Sequence, residues 1–220
     1  MTPANLRVLL AGATLRLEDA REELRSLDAA IGDGDLGITV ADGAVAVRAA
    51  LAALPADCSV TDLLKAAAKA FARANPSTMG ALVSMALLAA AKAVGDAPDV
   101  DRGAAVSLAR AAAASIAERG SAVLGDKTVL DSLLPSITAL EDSESNGADT
   151  LDAMIAAAAQ GVLSTTGLQS QRGRAAWVAE RSIGHPDGGA VAYLRLLEAL
   201  RGQWPGTPLP SSTGDKEAHR

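Results

Sequence analysis

Apolar residues recur along most of the chain with the period of an α-helix. Across residues 5–30, leucine stands at positions 6, 9, 10, 15, 24 and 27, which places an apolar stripe on one helix. Short polar segments that carry glycine or proline separate this stretch from seven others with the same kind of pattern. The pattern predicts eight helices, at about 5–30, 38–54, 59–74, 81–94, 102–118, 128–140, 150–161 and 190–201. It also predicts a long irregular segment at 164–189 and no β-strand of useful length.

Composition favours the same fold class. Hydrophobic residues make up 49% of the 220 residues but aromatic residues only 2%, and alanine supplies much of the apolar count. Strands usually recruit aromatic and β-branched side chains, whereas alanine-rich faces let helices pack closely. We therefore expect an all-α protein with one helical domain at residues 1–203. Prolines and serines follow Trp204, so residues 204–220 are expected to form a disordered tail.

Charge and hydropathy exclude several kinds of partner. The formal net charge is −6, whereas nucleic acids and anionic membrane surfaces favour a basic face. No segment supplies the roughly 20 uninterrupted apolar residues of a membrane span, and the first residues lack the apolar run of a signal peptide. The single cysteine, Cys58, cannot form an internal disulfide. These features predict a cytoplasmic protein that binds neither nucleic acid nor membrane.

An acidic, glycine-rich segment is the strongest chemical signal. Asp28, Asp33 and Asp35 fall within eight residues, with glycine at positions 32, 34 and 37. Carboxylates gathered this closely repel one another unless a cation neutralises them. A donor set made only of oxygen favours Mg²⁺ or Ca²⁺ over zinc. The alternative is a solvated acidic turn that closes the first helix.

Three helix starts and one basic segment would suit a phosphate held near these aspartates. Leu36-Gly37-Ile38-Thr39 and Ser77-Thr78-Met79-Gly80 each open a helix, where free backbone amides and hydroxyl groups favour an anion. Gly125-Asp126-Lys127-Thr128 opens a third helix. Helix capping alone is an alternative explanation for Ser77 and Thr78. The basic segment carries Arg172, Arg174 and Arg181, followed by His185 and Asp187.

Taken together, these motifs resemble one family. The sequence is similar to the nucleotide-binding L subunit of dihydroxyacetone kinase, which also occurs as the C-terminal domain of single-chain kinases. The resemblance spans about residues 5–200. It rests on three separate motifs in the same order: Leu27-Asp28-Ala29-Ala30-Ile31-Gly32-Asp33-Gly34-Asp35, Gly125-Asp126-Lys127-Thr128 with Asp131 and Pro135, and Gly173-Arg174-Ala175 through Glu180-Arg181-Ser182-Ile183-Gly184-His185.

The resemblance implies a barrel of eight antiparallel helices that binds ADP or ATP at one end. It implies that Asp28, Asp33 and Asp35 hold two Mg²⁺ ions, which in turn hold the nucleotide phosphates. The other nucleotide-binding positions that it implies are Leu36, Gly37, Ile38, Thr39, Thr78, Met79 and Gly80 near the phosphates, Gly120 and Val129 at the adenine, Arg174, and Asp187.

By this resemblance, the chain is expected to be the phosphoryl-transfer subunit of a kinase. A separate K-type subunit would hold a short ketose, such as dihydroxyacetone or a four-carbon analogue. The phosphoryl donor is either exchangeable ATP, or bound ADP that a phosphocarrier protein rephosphorylates. Asp28, Asp33, Asp35 and Arg174 are the expected catalytic residues, and the formation of a homodimer is left open.

Two positions depart from the family pattern and keep an alternative open. Leu36 stands where the family usually has histidine or threonine, and Met79 stands where it has serine. Both changes remove a polar group beside the phosphates. They favour a non-catalytic nucleotide-binding or regulatory module that keeps the fold and the metal loop. A lipid carrier that uses the interior of the bundle is a third and weaker reading.

Overall fold

The computed structural model describes residues 1–145 and 147–205, and all regular secondary structure in these residues is helical. The all-α class is therefore confirmed. A 3₁₀ segment, Arg174–Ser182, precedes the last α-helix. The α-helices are α1 Pro3–Asp19, α2 Arg21–Ile31, α3 Leu36–Ala52, α4 Val60–Ala74, α5 Thr78–Val94, α6 Arg102–Gly120, α7 Leu130–Asp142, α8 Ala148–Thr166 and α9 Gly188–Gly202.

The helices form a closed ring in chain order. From α3 to α9 each helix packs against the next, α9 returns to α1, and α1 and α2 both pack on α3. Short connections between neighbouring helices make the neighbours antiparallel. The largest core cluster lies inside this ring and includes Leu24, Leu36, Met154 and Leu194. The arrangement is a helical barrel.

The alternation of helix direction gathers one set of helix starts at one end of the barrel. The N-termini of α3, α5, α7 and α9 share this end with the C-termini of α2, α4, α6 and α8, and we call it the site end. Backbone amides are unpaired at a helix N-terminus, where the helix dipole is positive. A helix start at this end whose amides are left without a side-chain cap therefore favours the binding of an anion.

The observed helices differ from the predicted ones in three places. The first predicted helix is two helices, because the chain turns at Ala20 between α1 and α2. Neither glycine nor proline marks this turn, so the apolar period alone does not reveal it. Helix α5 begins at Thr78 because Ser77 caps it, and α8 extends to Thr166.

Two further findings concern the predicted tail and a membrane span. Trp204 packs against the largest core cluster, and residues 206–220, most of the predicted tail, lie outside the described residues. Within the described part of the chain, every helix is too short or too polar to cross a membrane.

Candidate metal and nucleotide site

The three aspartates of the acidic segment lie together at the site end. One carboxylate oxygen each of Asp28, Asp33 and Asp35 lies within 4.8 Å of the other two. The side chains of Asp33 and Asp35 are 50% and 51% exposed, and Asp28 is half-buried on the last turn of α2. We call these residues the aspartate triad. Three carboxylates that converge in this way form a donor set typical of a hard divalent cation.

Glycines make the geometry of the triad possible. Gly34 has φ +75°, a conformation that other residues rarely adopt. A Cβ atom at Gly32 would overlap Oδ1 of Asp28, and one at Gly37 would overlap the backbone oxygen of Arg21. Gly32 therefore leaves room for the Asp28 carboxylate, and Gly37 lets α3 begin directly against α2.

Each of the three carboxylates accepts a hydrogen bond from outside the triad. The Leu36 amide donates to Oδ2 of Asp28 at 3.3 Å. Asp35 precedes α3 but gives the helix no side-chain cap. Its Oδ2 instead accepts from Nη1 of Arg174 at 3.0 Å, so its carboxylate is directed to the triad and not to the helix.

Arg174 joins the triad from a distant part of the sequence. Its Nη1 also donates to Asp33, and this hydrogen bond holds the pKa of the Asp33 carboxyl below its usual range. Both carboxylates in turn raise the pKa of Arg174, which therefore stays charged. In this arrangement the guanidinium group balances part of the triad's negative charge.

Arg174 also lines a groove beside the start of α5. The groove has a volume of about 640 Å³, and its lining includes Ser77, Thr78 and Asn75. Oγ of Ser77 accepts from the Gly80 amide at 3.1 Å, and a Cβ at Gly80 would overlap the backbone oxygen of Asn75. Arg174 therefore belongs to both the groove and the triad, and it lies next to the exposed start of α5.

The remaining predicted positions occupy other parts of the site end. Gly120 is the last residue of α6, and Val129 directly precedes α7. Asp187 caps α9, since its Oδ1 accepts from the Ala190 amide at 2.7 Å; burial raises the pKa of Asp187 to about 6. A Cβ at Gly189 would lie 3.6 Å from Cβ of Val129, so the starts of α7 and α9 meet.

Side chains at the two atypical positions pack inward. Leu36 is 7% exposed and belongs to the largest core cluster, and Met79 packs against the same cluster. Ile38 is exposed and Thr39 is half-buried on the first turn of α3. Leu36 and Met79 therefore contribute apolar packing at the two helix starts, where only the backbone and the neighbouring residues offer polar groups.

The loop before α7 differs from its predicted role. Asp131 is 2% exposed, and its carboxylate accepts from the amides of Gly125 at 2.5 Å and Thr128 at 2.7 Å. These amides therefore serve the loop itself and do not stand open to a ligand. The spacing of Thr128 and Asp131, typical of a helix cap, is the sequence signal for this arrangement.

Comparison with known proteins identifies the family. The model of the DAK2 domain family matches residues 30–202. The chain belongs to this family and is a DhaL-like, all-α member of it.

The chain is 30% identical over 187 residues to the ADP-binding subunit DhaL of the PEP-dependent dihydroxyacetone kinase 2 of Listeria innocua, covering 84% of this chain and 87% of that subunit. It is 37% identical over 180 residues to the D-erythrulose kinase of Mycolicibacterium smegmatis. That match covers 80% of this chain but only 31% of the relative, so the chain spans about a third of that kinase.

A solved structure has the same fold. The native dihydroxyacetone kinase of C. freundii superposes with a TM-score of 0.73 at 27% sequence identity, covering 91% of this chain and 34% of that one. The same kinase in complex with AMP-PNP and Mg²⁺ gives a TM-score of 0.71 at 26% identity. The helical barrel is thus one part of a larger enzyme in that protein.

Proposed function

We propose that this chain is the ADP- or ATP-binding phosphoryl-transfer subunit of a short-ketose kinase of the dihydroxyacetone type. The observation that carries the proposal is the convergence of the aspartate triad and Arg174 at the site end, beside the groove at the start of α5. The names of the relatives support it, because one is an ADP-binding subunit and another is an erythrulose kinase. We assign this function to the helical domain predicted at residues 1–203.

The triad is the proposed site of two Mg²⁺ ions. The donors fit, since three carboxylates supply only oxygen ligands and their nearest oxygens lie within 4.8 Å of one another. The complex of the C. freundii kinase with AMP-PNP and Mg²⁺ supports this choice of metal. When bound, the ions would offset charge on the phosphates and on the transferred phosphoryl group.

The chain's own contribution to transfer is to hold the phosphates. Asp35 gives α3 no side-chain cap, so we assign phosphate contacts to residues 36–39, through the amides of Gly37 and Ile38 and the Thr39 hydroxyl; the Leu36 amide already donates to Asp28. We assign further contacts to Thr78, Met79 and Gly80 at the start of α5: the Thr78 hydroxyl and the amides of Thr78 and Met79 would donate, while Gly80, whose amide already donates to Oγ of Ser77, would lie beside the phosphate. Arg174 lies between the triad and the groove, where its charge would stabilise a phosphate in the transition state. Positioning and electrostatics supply most of the catalysis in phosphoryl transfer.

The adenosine part of the nucleotide is assigned to the other helix ends. Gly120, Val129 and Asp187 lie at the same end of the barrel, at the end of α6 and at the starts of α7 and α9. Gly120, which has no side chain, and Val129, which has a small apolar one, would suit the flat adenine ring.

The acceptor is proposed to come from a K-type subunit that holds a ketose of three or four carbons. Relatives of similar length are subunits, whereas in the longer relatives this domain is about a third of the chain. The donor is proposed to be ATP, or ADP that a phosphocarrier protein rephosphorylates; the PEP-dependent Listeria relatives support the second route. The cytoplasm is the compartment that suits such donors.

A coupled assay tests this function. The chain is mixed with the K-type protein encoded nearest to it, ATP or a phosphocarrier system, Mg²⁺ and ketoses of three to five carbons. We expect phosphorylated dihydroxyacetone or erythrulose that forms only when both proteins are present. Product formation without this chain, or none with any ketose and donor, would contradict the proposal.

A regulatory module is the second candidate, and the inward packing of Leu36 and Met79 favours it. Such a module would bind Mg-ADP but would transfer no phosphoryl group in the coupled assay.

A separate measurement counts the metal ions: electron paramagnetic resonance of Mn²⁺ should show two bound ions per chain when ADP is present. One ion per chain would refute the assignment of two.

A further inference from the structure

The position of Arg174 depends on a segment with little regular structure. Residues 167–187 connect α8 to α9, and the 3₁₀ segment within them is interrupted at Ala179, which has φ +46°. The side chain of Arg174 is 46% exposed. Burial of Arg174 itself therefore does not fix this side chain over the triad, and other contacts must hold the segment in place.

The first part of the segment is held by Asp126. The Gln171 amide donates to the backbone oxygen of Asp126 at 3.0 Å. The Asp126 carboxylate accepts from Nε of Arg172 at 2.8 Å and from the Val123 amide at 3.0 Å. These contacts lower the pKa of Asp126, so the carboxylate remains charged and paired near neutral pH. They fix the chain two residues before Arg174.

The last part of the segment is held by Lys127. Nζ of Lys127 donates to the backbone oxygens of Ser182 at 2.6 Å, Leu168 at 2.8 Å and Thr166 at 3.1 Å. All three donors of the ammonium group are thus used. Lys127 is 1% exposed, and Ser182 is fully buried. One buried cation therefore links the end of α8 to the end of the 3₁₀ segment.

We propose that Asp126 and Lys127 form a clamp that positions Arg174 for nucleotide binding. The adjacent residues hold the two ends of the segment 171–182, and Arg174 lies between those ends. Lys127 has φ +61°, in the left-handed region that residues other than glycine rarely adopt. Both are positioning residues, and their effect on the nucleotide rests on the function proposed above.

Limited proteolysis tests the clamp without any ligand. Trypsin cleaves after arginine, and Arg172, Arg174 and Arg181 all lie in the segment. In the full-length chain carrying Lys127→Met, we expect cleavage at these residues to become about tenfold faster, because local opening exposes them. Cleavage after Lys65 in α4 should not change, which separates local opening from global unfolding. Lys69→Met, which removes an exposed lysine, is the matched control.

A double-mutant cycle tests the link to Arg174. We expect Lys127→Met to weaken Mg-ADP binding about tenfold in the wild-type chain and less than about twofold in a chain that carries Arg174→Gln. Such coupling is expected only if Lys127 acts through Arg174. An equal loss in both backgrounds, or unchanged cleavage in the segment, would overturn the proposal.

A second variant guards against a failure to fold. Asp126→Asn weakens the contact with Arg172 but keeps an oxygen that can accept from the Val123 amide, so we expect a milder change in the same direction in both assays. Failure of the wild-type chain to bind Mg-ADP would refute the proposed function, whereas the proteolysis would still test the clamp. Wild-type cleavage rates and ADP affinity in both clamp variants would refute the clamp alone.

Discussion

Two loops at the site end both begin with Gly-Asp, but the aspartates in and beside them have different partners. Gly32-Asp33-Gly34-Asp35 precedes α3, and Gly125-Asp126-Lys127-Thr128 precedes α7. In the first loop the carboxylates are half exposed and converge with Asp28, and Arg174 is their cationic partner. In the second, Asp131 and Asp126 accept from backbone amides of their own loop.

The two loops differ in whether their carboxylates can still accept a ligand. Carboxylates with acceptor capacity left form a candidate binding site, whereas a carboxylate already paired with backbone amides is a structural element. Amide donors already stabilise the charge of Asp131, so this residue has little capacity left for a ligand. Asp33 and Asp35 retain unused oxygen lone pairs and gain further stabilisation when a cation approaches. We therefore expect substitution of Asp33 or Asp35 to change binding directly and substitution of Asp131 to change stability.

The largest effect is expected from the first loop. Asp33→Asn or Asp35→Asn should weaken Mg-ADP binding more than about 100-fold, because each removes an anionic ligand of the metal. Equilibrium dialysis with labelled ADP measures this loss. Asp57→Asn, at an exposed aspartate outside the site, is the control. Retention of wild-type affinity in both triad variants would show that the triad does not hold the metal.

Asp131, which holds the second loop from the first turn of α7, should affect stability. Asp131→Asn should lower the free energy of unfolding by about 2–3 kcal/mol, since a buried charged acceptor of two amide hydrogen bonds is lost. Urea titration followed by circular dichroism measures the change. The folded variant should retain Mg-ADP affinity within about threefold. Wild-type stability together with lost Mg-ADP binding in Asp131→Asn would show that Asp131 acts in binding and not in structure.

Arg174 contacts the first loop and is the proposed partner of a nucleotide phosphate, so its substitution should have two effects. Arg174→Gln should weaken Mg-ADP binding about tenfold through loss of a charged phosphate contact. It should also tighten Mn²⁺ binding in the absence of nucleotide, because the guanidinium no longer pairs with Asp33 and Asp35. Arg16→Gln on α1 is the control. Weaker Mn²⁺ binding in Arg174→Gln would contradict this account.

The smallest effect concerns the aspartate that caps α9. Burial raises the pKa of Asp187 to about 6, above the usual 3.8 for this side chain. Since the folded state then binds the proton more tightly than the unfolded state, Asp187 contributes stability below about pH 4 that is lost as the pH rises through 6. Relative to Asp187→Asn, the wild-type chain should lose about 1 kcal/mol between about pH 5.3 and 7.5, by urea titration. A difference between the two proteins that does not depend on pH would refute the raised pKa.

Most of the fold could be predicted from the sequence because its determinants are local. The apolar period and the glycines between helices define most helix bounds to within a few residues. The turn at Ala20 could not be predicted from the pattern, because no glycine or proline ends α1 there. The segment 164–189 contains the last turn of α8 and a 3₁₀ segment that hydrogen bonds to distant residues maintain.

The candidate site also has one part that could be predicted from local sequence and one part that could not. The triad could be predicted because its members fall within eight residues, whereas Arg174 lies 139 residues from Asp35 and was selected through the family resemblance. The role of Lys127 could not be predicted, because its three acceptors are backbone oxygens 39 to 55 residues away. The identity of a side chain does not reveal partners that are so distant in the sequence.

Calorimetric titration of the wild-type chain with ADP, once with Mg²⁺ and once with excess EDTA, tests the central claim most directly. If the triad binds the nucleotide through divalent cations, the dissociation constant should be about micromolar or lower with Mg²⁺, and no binding heat should be detected in EDTA. Binding of equal affinity under both conditions would show that the phosphates are held without metal, contrary to this account.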